Sequence, residues 1–168
     1  MDADGLGSER FRQVAGRFAT GVTVVTTVGE GAVRGMTVNA FASVSLDPLL
    51  VLVSVDRQAN MHELIERHGV FAVTVLSADQ EALSRWFASP GRAEGAAQFA
   101  DVSCDAAPSS GSPVIRGGLA WLDCRVTAAH VAGDHTLFVG EVAAMGGPFD
   151  GEPLVFFGGD YLTLGVGR

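Results

Sequence analysis

Residues 35–48 place short polar side chains at alternating positions, where they could contact a ligand. From position 36 to position 46 every even-numbered residue is apolar. Because successive side chains of an extended chain point to opposite faces, this alternation predicts a strand with one apolar face. Hydroxyls and amides form hydrogen bonds without filling the space beside the backbone, so the second face suits a planar ligand with polar edges. The plainer alternative, which the pattern alone favours, is a half-exposed strand face rich in Thr and Ser. The second face consists of Thr37, Asn39, Phe41, Ser43 and Ser45.

A second candidate site, Ser54–Val55–Asp56–Arg57, follows a continuous apolar run and precedes a helix predicted to begin at Asn60. The free N–H groups and the dipole at a helix N-terminus attract anions, and an arginine adds a fork of hydrogen-bond donors. A strand end, an arginine and a helix start in this order predict a phosphate-binding corner. The alternative is an exposed Asp56–Arg57 pair, which is common on protein surfaces and contributes little to stability.

A third candidate is the histidine in Gly133–Asp134–His135–Thr136. Gly133 and Asp134 separate two long strand-like segments, so they predict the tip of a β-hairpin. A histidine at such a tip is usually just solvated, and its position alone does not assign it a function.

Several familiar catalytic sites are excluded by the sequence. It contains no G-x-x-x-x-G-K-[ST], no G-x-G-x-x-G after a strand and no G-x-S-x-G. His62–Glu63 begins like a zinc-protease helix, but Glu66 stands where the second histidine would be required. His62 and His68 are spaced so that they do not share a helix face, and we expect surface histidines and no metal site.

Composition indicates one domain that does not bind nucleic acid. The chain has 168 residues, 18% of them charged, and a formal net charge of −8, with arginines but no lysine. This balance argues against a nucleic-acid or anionic-membrane surface. Any bound anion must therefore be held by one or two local arginines and by backbone N–H groups. No apolar run approaches the roughly 20 residues of a membrane span.

The cysteines and the N-terminal residues predict a cytoplasmic protein. Cys104 and Cys124 are too far apart for a redox or zinc motif, so we expect two free, buried thiols in a reducing compartment. Residues 1–10 are acidic and polar with no apolar segment, so we expect no signal peptide. Residues 1–7 are predicted to form a flexible tail, and residues 8–168 a single domain.

Short strands with few helices between them predict a mainly antiparallel β-barrel, because closure removes exposed sheet edges. The first helix is expected to begin with Ser8 as its cap, the second with a capping box of Asn60 and Glu63, and the third with a capping box of Ser77 and Gln80. Gly69 is predicted to end the second helix. The predicted helices cover residues 8–18, 60–68 and 77–87, and the predicted strands 22–27, 32–47, 49–55, 70–76, 119–131, 136–145, 153–157 and 161–164.

One long segment, residues 89–112, carries prolines, glycines and small residues but no strong periodicity. Loops of this length usually have a function, such as a lid or a dimer contact, or else they are mobile.

Six short segments occur together, and in this order, in one known family. They are residues 18–27 (FATGVTVVTT), 35–41 (GMTVNAF), 43–48 (SVSLDP), 119–124 (LAWLDC), 133–135 (GDH) and 158–161 (GGDY). The chain thereby resembles the flavin reductase family over residues 10–164. These are short-chain NAD(P)H:flavin oxidoreductases that serve two-component flavin-dependent monooxygenases.

The resemblance implies a mainly β fold: an FMN-binding split β-barrel, antiparallel and Greek-key, with a few short peripheral helices, paired as a homodimer. It implies a flavin site at Gly35, Met36, Thr37, Val38, Asn39, Ala40, Ser45, Ser54, Val55, Asp56, Arg57, Ala59 and Asn60, with Trp86 and Phe87 closing over the cofactor. It implies nicotinamide nucleotide contacts at Gly133, Asp134, His135 and Thr136, with Tyr161 as a weaker candidate.

The chain also departs from the family pattern. Many members have a second proline where Leu49 stands, a cysteine where Ser54 stands, and Ser or Thr near Ala59–Asn60. The last departure puts the phosphate contacts in question, so Arg57 or the helix N-terminus could carry more of them.

The resemblance implies that NADH or NADPH reduces FMN or FAD and that a partner monooxygenase receives the reduced flavin. Hydride transfer needs no acid or base from the protein, which explains why no carboxylate pair or nucleophile stands out. We expect His135 to contact the nicotinamide and to be the catalytic residue. Two alternatives are an oxidoreductase that keeps its flavin tightly bound and a flavin-binding module without turnover. The sequence does not distinguish FMN from FAD, or NADH from NADPH.

Overall fold

Strands dominate the chain, as its alternating and β-branched segments predict. The computed structural model describes residues 6–164; the beginning of the predicted tail, residues 1–5, lies outside them. The α-helices are α1 (Ser8–Ala15), α2 (Asn60–His68) and α3 (Glu81–Ala88). The strands are β1 (Thr20–Gly21), β2 (Thr23–Gly29), β3 (Ala32–Val38), β4 (Phe41–Leu46), β5 (Leu49–Asp56), β6 (Val70–Val75), β7 (Cys104–Ala106), β8 (Pro113–Ile115), β9 (Ala120–Ala132), β10 (His135–Gly146), β11 (Leu154–Phe157) and β12 (Asp160–Thr163).

A seven-stranded sheet in the order β3-β2-β6-β9-β10-β5-β4 forms the centre of the fold. All of its pairs are antiparallel, which confirms the predicted architecture. β3 and β4 are its two edges, although only Asn39 and Ala40 separate them in the chain. The sheet therefore curls until its edges approach each other, and no ladder joins β3 to β4 within residues 6–164. This is the open seam of a split barrel.

Two clusters of buried side chains fill the interior. One contains Val25, Val53, Phe71 and Phe138 and lies under α2. The other contains Val24, Leu76, Phe87 and Leu154 and lies under α3. Truncating a fully buried phenylalanine typically costs about 3–5 kcal/mol, so these clusters hold the sheet in its curled form.

The strand predicted from residues 35–48 is broken in the middle. We predicted one apolar face along its whole length, but in β4 Val44 is 52% exposed and Leu46 is 87% exposed. The pairing of β4 with β5 shifts register between Ser43 and Ser45, and the chain leaves strand conformation at residues 39–40. These two irregularities change which side chains face the core: Phe41 packs on the core, whereas Ala42, Val44 and Leu46 are exposed. The prediction of a continuous inward apolar face was wrong for β4.

Two of the three predicted helix starts were wrong in detail. Gly7 is the N-cap of α1, and the helix ends at Ala15 rather than near Phe18. Ala59 is the N-cap of α2, so no Asn60–Glu63 capping box forms, and Glu63 instead forms an ion pair with Arg67 one turn on. Each helix begins about one residue from the predicted cap, a shift that periodicity does not resolve.

Other local predictions were correct. Gly69 follows α2 with a left-handed φ of 66°, and its N–H donates to Ile65 O at 2.8 Å. Ser77 and Gln80 form the predicted capping box, with the Ser77 N–H donating to Gln80 Oε1 at 3.1 Å; the box opens a 3₁₀ turn, Ala78–Gln80, and α3 follows that turn. These signals are local in sequence, and local geometry satisfies them.

The long segment 89–112 is packed against the sheet. It contains a 3₁₀ turn, Gly95–Phe99, and β7, which pairs with β8. The side chain of Gln98 is fully buried, and Phe99 packs on the ring of Phe87. The segment thus covers one side of β3.

None of the helices in residues 6–164 has the length and hydropathy needed to cross a bilayer.

Candidate active site

The fold brings the second and third predicted sites together. β10 pairs with β5 so that His135 lies opposite Asp56 and Thr136 opposite Val55. The Arg57 N–H donates to the Asp134 carbonyl at 3.0 Å. The hairpin tip at residues 133–135 and the end of β5 therefore form one corner of the molecule, with Asp56, Arg57, Gly133 and Asp134 exposed.

His135 is half-exposed in this corner and is oriented by its neighbour. Its Nδ1 lies 2.7 Å from Asp134 Oδ1. The hydrogen bond from His135, and next its charge, hold the pKa of the Asp134 carboxyl below its ordinary value. A carboxylate beside Nδ1 favours the tautomer that carries a proton there, which leaves Nε2 free to face a ligand.

A second histidine supports the corner from inside. We predicted that His62 lies on the surface, but it is only 9% exposed, and its ring centroid is 5.2 Å from that of Phe138. Its Nε2 lies 2.7 Å from the hydroxyl of the buried Thr136. The prediction was wrong because α2 turns this face onto the sheet. His68 is half-buried against Gly29.

The edge of β3 offers backbone hydrogen-bonding groups. The Gly35 N–H donates to Gln98 Oε1 at 2.9 Å, so it points away from β2. Because these directions alternate along an antiparallel strand, the backbone of Thr37 also points to this side. A Cβ on Gly35 would lie 2.5 Å from Cε1 of Phe87, so the close packing of α3 on β3 requires glycine here.

The polar face predicted for β3 is partly used inside the protein. The Thr37 hydroxyl donates to Ser84 O at 2.6 Å, and the Ser84 hydroxyl lies 2.8 Å from the Tyr161 hydroxyl. The guanidinium of Arg85 lies 4.7 Å above the Tyr161 ring. α3 therefore covers this face, and what Thr37 can offer a ligand is its backbone rather than its side chain.

Asn39 and Ala40, between β3 and β4, connect the β3 edge to β5. Both are exposed, and the Ala40 carbonyl accepts from the Ser54 N–H at 3.0 Å. Asn39 also lines a cavity of about 500 Å³ with Phe156, Gly158 and residues of α1. Exposed small residues thus lie where the open seam, β5 and the cavity meet.

The remaining predicted residues lie in different parts of the structure, some in the core and some at the surface. Met36 and Val38 face the core under α2, Val55 is fully buried, and Ala59 packs on the same core. Phe87 is also fully buried, so its side chain lies behind β3. Trp86 is partly exposed and donates from Nε1 to Gln98 O at 2.9 Å, and Asn60 lines a cleft beside Arg34. Ser45 lies in β4, where its hydroxyl accepts from the Asp47 N–H at 3.2 Å, a turn contact.

Sequence reasoning missed Gln98, Arg34 and Arg12. Gln98 comes from a segment without periodicity, and Arg34 from the polar start of a strand. The charge of Arg12, in α1, also contributes to the lowered pKa of Asp134. Within residues 6–164 no group of three His, Cys, Asp or Glu side chains lies close enough to hold a metal ion. Cys104 and Cys124 are both free, the first half-buried and the second buried.

The sequence profile of the flavin reductase like domain matches residues 15–165. The chain belongs to the flavin reductase family. It is 49% identical over 158 residues to the FMN reductase (NADH) SmoA of Agrobacterium fabrum, with 94% of this chain and 86% of that protein covered. It is 44% identical over 157 residues to an NADH-dependent flavin reductase of a Rhodococcus species, with 92% and 85% covered.

Solved structures of flavin reductases share the fold. The NADH:FAD oxidoreductase of Streptomyces globisporus C-1027, in complex with NAD and FAD fragments, has a TM-score of 0.91 at 40% identity, covering 98% of this chain and 96% of that chain. BorF, the flavin reductase component of a bacterial two-component tryptophan halogenase, has a TM-score of 0.90 at 39% identity, covering 94% and 98%. The fold predicted from the resemblance is therefore confirmed.

The residues present fit a flavin. The β3 edge supplies backbone donors and acceptors beside small residues, as the polar edge of a flavin ring requires. The buried Nε2 of Gln98 has no hydrogen-bond partner among residues 6–164, so a donor is left unused beside this edge. Buried polar groups are rarely left without a partner, and an acceptor atom of a ligand bound along this edge would satisfy this donor.

Proposed function

We propose that this protein is an NADH-dependent flavin reductase, which passes reduced FMN or FAD to a partner monooxygenase. The observation that carries the proposal is the meeting of the β3 edge, β5 and the hairpin tip, through the Ala40–Ser54 and Arg57–Asp134 backbone hydrogen bonds. Relatives named NADH-dependent flavin reductases support it. So do relatives named as the reductase subunit of a flavin-dependent monooxygenase.

The proposed roles of the residues follow their exposure. The backbone of residues 37–40, with Gly35 and Ser54 beside it, holds the polar edge of the flavin ring. Asn60 lies toward the phosphate, and Trp86 covers part of the cofactor. Asp56, Arg57 and residues 133–136 form the wall against which the nicotinamide nucleotide binds, and Tyr161, in β12, holds α3 through the Ser84 hydroxyl.

When both nucleotides are bound, the flavin accepts a hydride from NADH, which leaves as NAD⁺. The protein orients the two partners and excludes water, and it needs no nucleophile for this step. His135 contacts the nicotinamide side of the site, and Asp134 fixes its ring orientation through Nδ1. His62 fixes the backbone beneath it through Thr136. Release of the reduced flavin requires that binding be reversible, with a Kd on the order of micromolar.

A homodimer is part of the proposal. Exposed apolar side chains on β4 and around α1 lack partners within residues 6–164: they are Val44 and Leu46 of β4, Phe11 and Val14 of α1, and Phe18, which follows α1. Exposed apolar surface of this extent marks an interaction site on a protein with this composition. A second copy of the chain is the occupant we propose, because β4 is an edge strand and can pair about a two-fold axis.

A cytoplasmic location is also proposed, and the two free cysteines support it.

The test is NADH oxidation with FMN, FAD and riboflavin supplied in turn, followed by dialysis of the flavin-loaded protein. Catalytic NADH consumption that depends on free flavin, with loss of the flavin on dialysis, is the expected result. Flavin retained through dialysis would support a fixed prosthetic group instead, and flavin binding without NADH consumption would contradict a reductase. Parallel assays with NADPH would test the nicotinamide specificity.

A further inference from the structure

β9 has a neighbouring strand on both sides only over its first half. β6 pairs with it as far as Arg125, and the Val126 N–H then donates to Gly69 O at 2.8 Å, the last backbone contact on that side. Beyond this point β10 alone pairs with β9, as far as Ala132. Within the described chain, residues 128–132 therefore form a free strand edge on the side away from β10.

The backbone of this edge is accessible. Along an antiparallel strand the N–H and C=O groups of successive residues point to opposite sides, so every second residue of the segment directs its pair away from β10. Residues 129–132 are all exposed, and the Val131 side chain is 68% exposed. The bulge between β9 and β10 lies before Ala128, and the pairing is regular from there to Ala132. The segment is thus a regular template on which another strand can add.

The edge lacks the features that usually prevent strand addition. Exposed edges in native proteins commonly carry charged residues, a proline or a bulge, or are covered by another element. Residues 128–132, AAHVA, contain no proline and no Asp, Glu, Lys or Arg. At the edge of β3, by contrast, the Gln98 side chain accepts from the Gly35 N–H. An edge without such protection suits recognition by strand addition, in which main-chain hydrogen bonds supply the affinity.

The length of the edge indicates a transient partner rather than a second copy of the chain. Five residues of a strand span about 17 Å. A stable interface uses about 20–30 residues on each side, so this edge alone is too small to hold a permanent dimer. The exposed apolar side chains that we assign to the dimer lie instead on β4 and around α1.

The charge at the hairpin tip favours a basic residue in the partner. Asp134 is exposed two residues beyond Ala132, and the whole chain has a formal net charge of −8. Complementary charges speed association and fix the register of a bound segment. Because His135 lies opposite Ala132, a strand added to β9 would end beside the candidate active site, on the side of β9 away from it.

We propose that residues 128–132 bind an extended, uncharged segment of a partner protein, which adds to the sheet as a strand and places a basic residue next to Asp134. The added strand would lie about 5 Å from β9 and about 10 Å from β10, two strand spacings away. The inference goes beyond the proposed function and does not depend on it, because strand addition requires no flavin.

The test is a titration of the full-length, isotope-labelled protein with the peptide KVTVTV, followed by amide NMR spectra and hydrogen exchange. In the antiparallel orientation the N-terminal lysine of this peptide lies next to Asp134. We expect shifted resonances and slower exchange at residues 128–132, with saturation at millimolar peptide. The same peptide N-methylated at every residue cannot donate backbone hydrogen bonds and is expected to bind about tenfold more weakly or worse.

Two variants place a charge on the edge. Ala129→Lys and Val131→Lys are each expected to weaken binding of the peptide about tenfold, since an edge lysine opposes strand addition. NADH oxidation with free FMN should stay unchanged in both, which also shows that they fold. Ala143→Lys is the matched control, because Ala143 is likewise exposed but lies on β10, outside this edge.

Unshifted amides at millimolar peptide would overturn the proposal, and so would equal binding of the two peptides. Slower exchange of residues 128–132 at rising protein concentration, without peptide, would identify a second copy at this edge and would also overturn it. The titration needs no turnover. A protein that fails to oxidise NADH would therefore contradict the proposed function and leave the outcome of the titration unaffected.

Discussion

The His135 ring is exposed enough to contact a ligand, and the Asp134 carboxylate fixes its orientation. A histidine that is only solvated would not require a fixed orientation. Asp134 sets the orientation of the ring, and the His62–Thr136 hydrogen bond fixes the strand beneath it. The residue-scale arrangement therefore positions an imidazole rather than activating one. This agrees with a reaction in which the two nucleotides supply the chemistry.

Replacing His135 by alanine should raise the KM for NADH about tenfold, the equivalent of one lost hydrogen bond. The KM for FMN should change little, because the proposed flavin contacts lie on the β3 edge. Initial-rate kinetics at varied NADH and saturating FMN measure the effect. His130→Ala is the matched control, since His130 is exposed on β9 in the same hairpin. Unchanged kinetics in His135→Ala would remove His135 from the mechanism.

The Asp134–His135 contact should also be visible in a titration. Because the folded-state pKa of Asp134 is lowered, the contact stabilises the protein above the ordinary aspartate range, and this contribution is lost as the pH falls through the lowered pKa. Carbon NMR of the Asp134 carboxyl should show a midpoint that rises toward the ordinary value in His135→Ala. A midpoint that is the same in both proteins would contradict the hydrogen bond.

At the scale of the elements, β3 is held between α2 on one face and α3 with the 95–99 turn on the other, and only its edge remains free. Gly35 makes this possible, since Phe87 and Phe99 occupy the space that a side chain would take. The site therefore depends on the packing of α3 as much as on its own polar groups.

Gly35→Ala should destabilise the protein by about 1–3 kcal/mol, because the added methyl group overlaps Phe87 in a filled core. Urea unfolding followed by circular dichroism measures the difference in the free energy of unfolding. Gly21→Ala is the control: it lies in β1 and a Cβ there meets nothing within 4 Å. Equal stability of the two variants would mean that α3 moves away from β3 without cost.

Sequence reasoning succeeded where the signal is local. Gly69 and the Ser77–Gln80 pair mark helix ends by chemistry within four residues, and Gly133–Asp134 marks a hairpin between two long strands. It failed where the outcome depends on distant packing. The inward turn of His62 depends on Phe138 and Thr136, more than seventy positions away. The exposure of Val44 and Leu46 in β4 depends on a register shift that no single residue predicts. Gln98 contacts β3 only because its segment folds back on that strand.

At the scale of the whole molecule, the described chain leaves apolar surface uncovered on β4 and α1. If the proposed dimer buries this surface, Leu46→Asp should shift the protein to monomer, because a charge in a buried interface is strongly unfavourable. Size-exclusion chromatography with light scattering measures the mass. Met145→Asp serves as the control, since Met145 is an exposed apolar residue on another strand. A wild-type protein that is monomeric at micromolar concentration would contradict the dimer outright.

The free edge of β3 has a consequence for the stability of the protein in solution. An unpaired strand edge is a template on which a second chain can add, and this is how many β proteins begin to aggregate. Gln98 blocks one backbone donor of this edge, but the backbone of Thr37 still faces outward. A flavin bound along the edge would act as a protective cap. The groups that we propose to bind the flavin would thus also make the flavin-free protein the more aggregation-prone form, and added FMN would slow its aggregation.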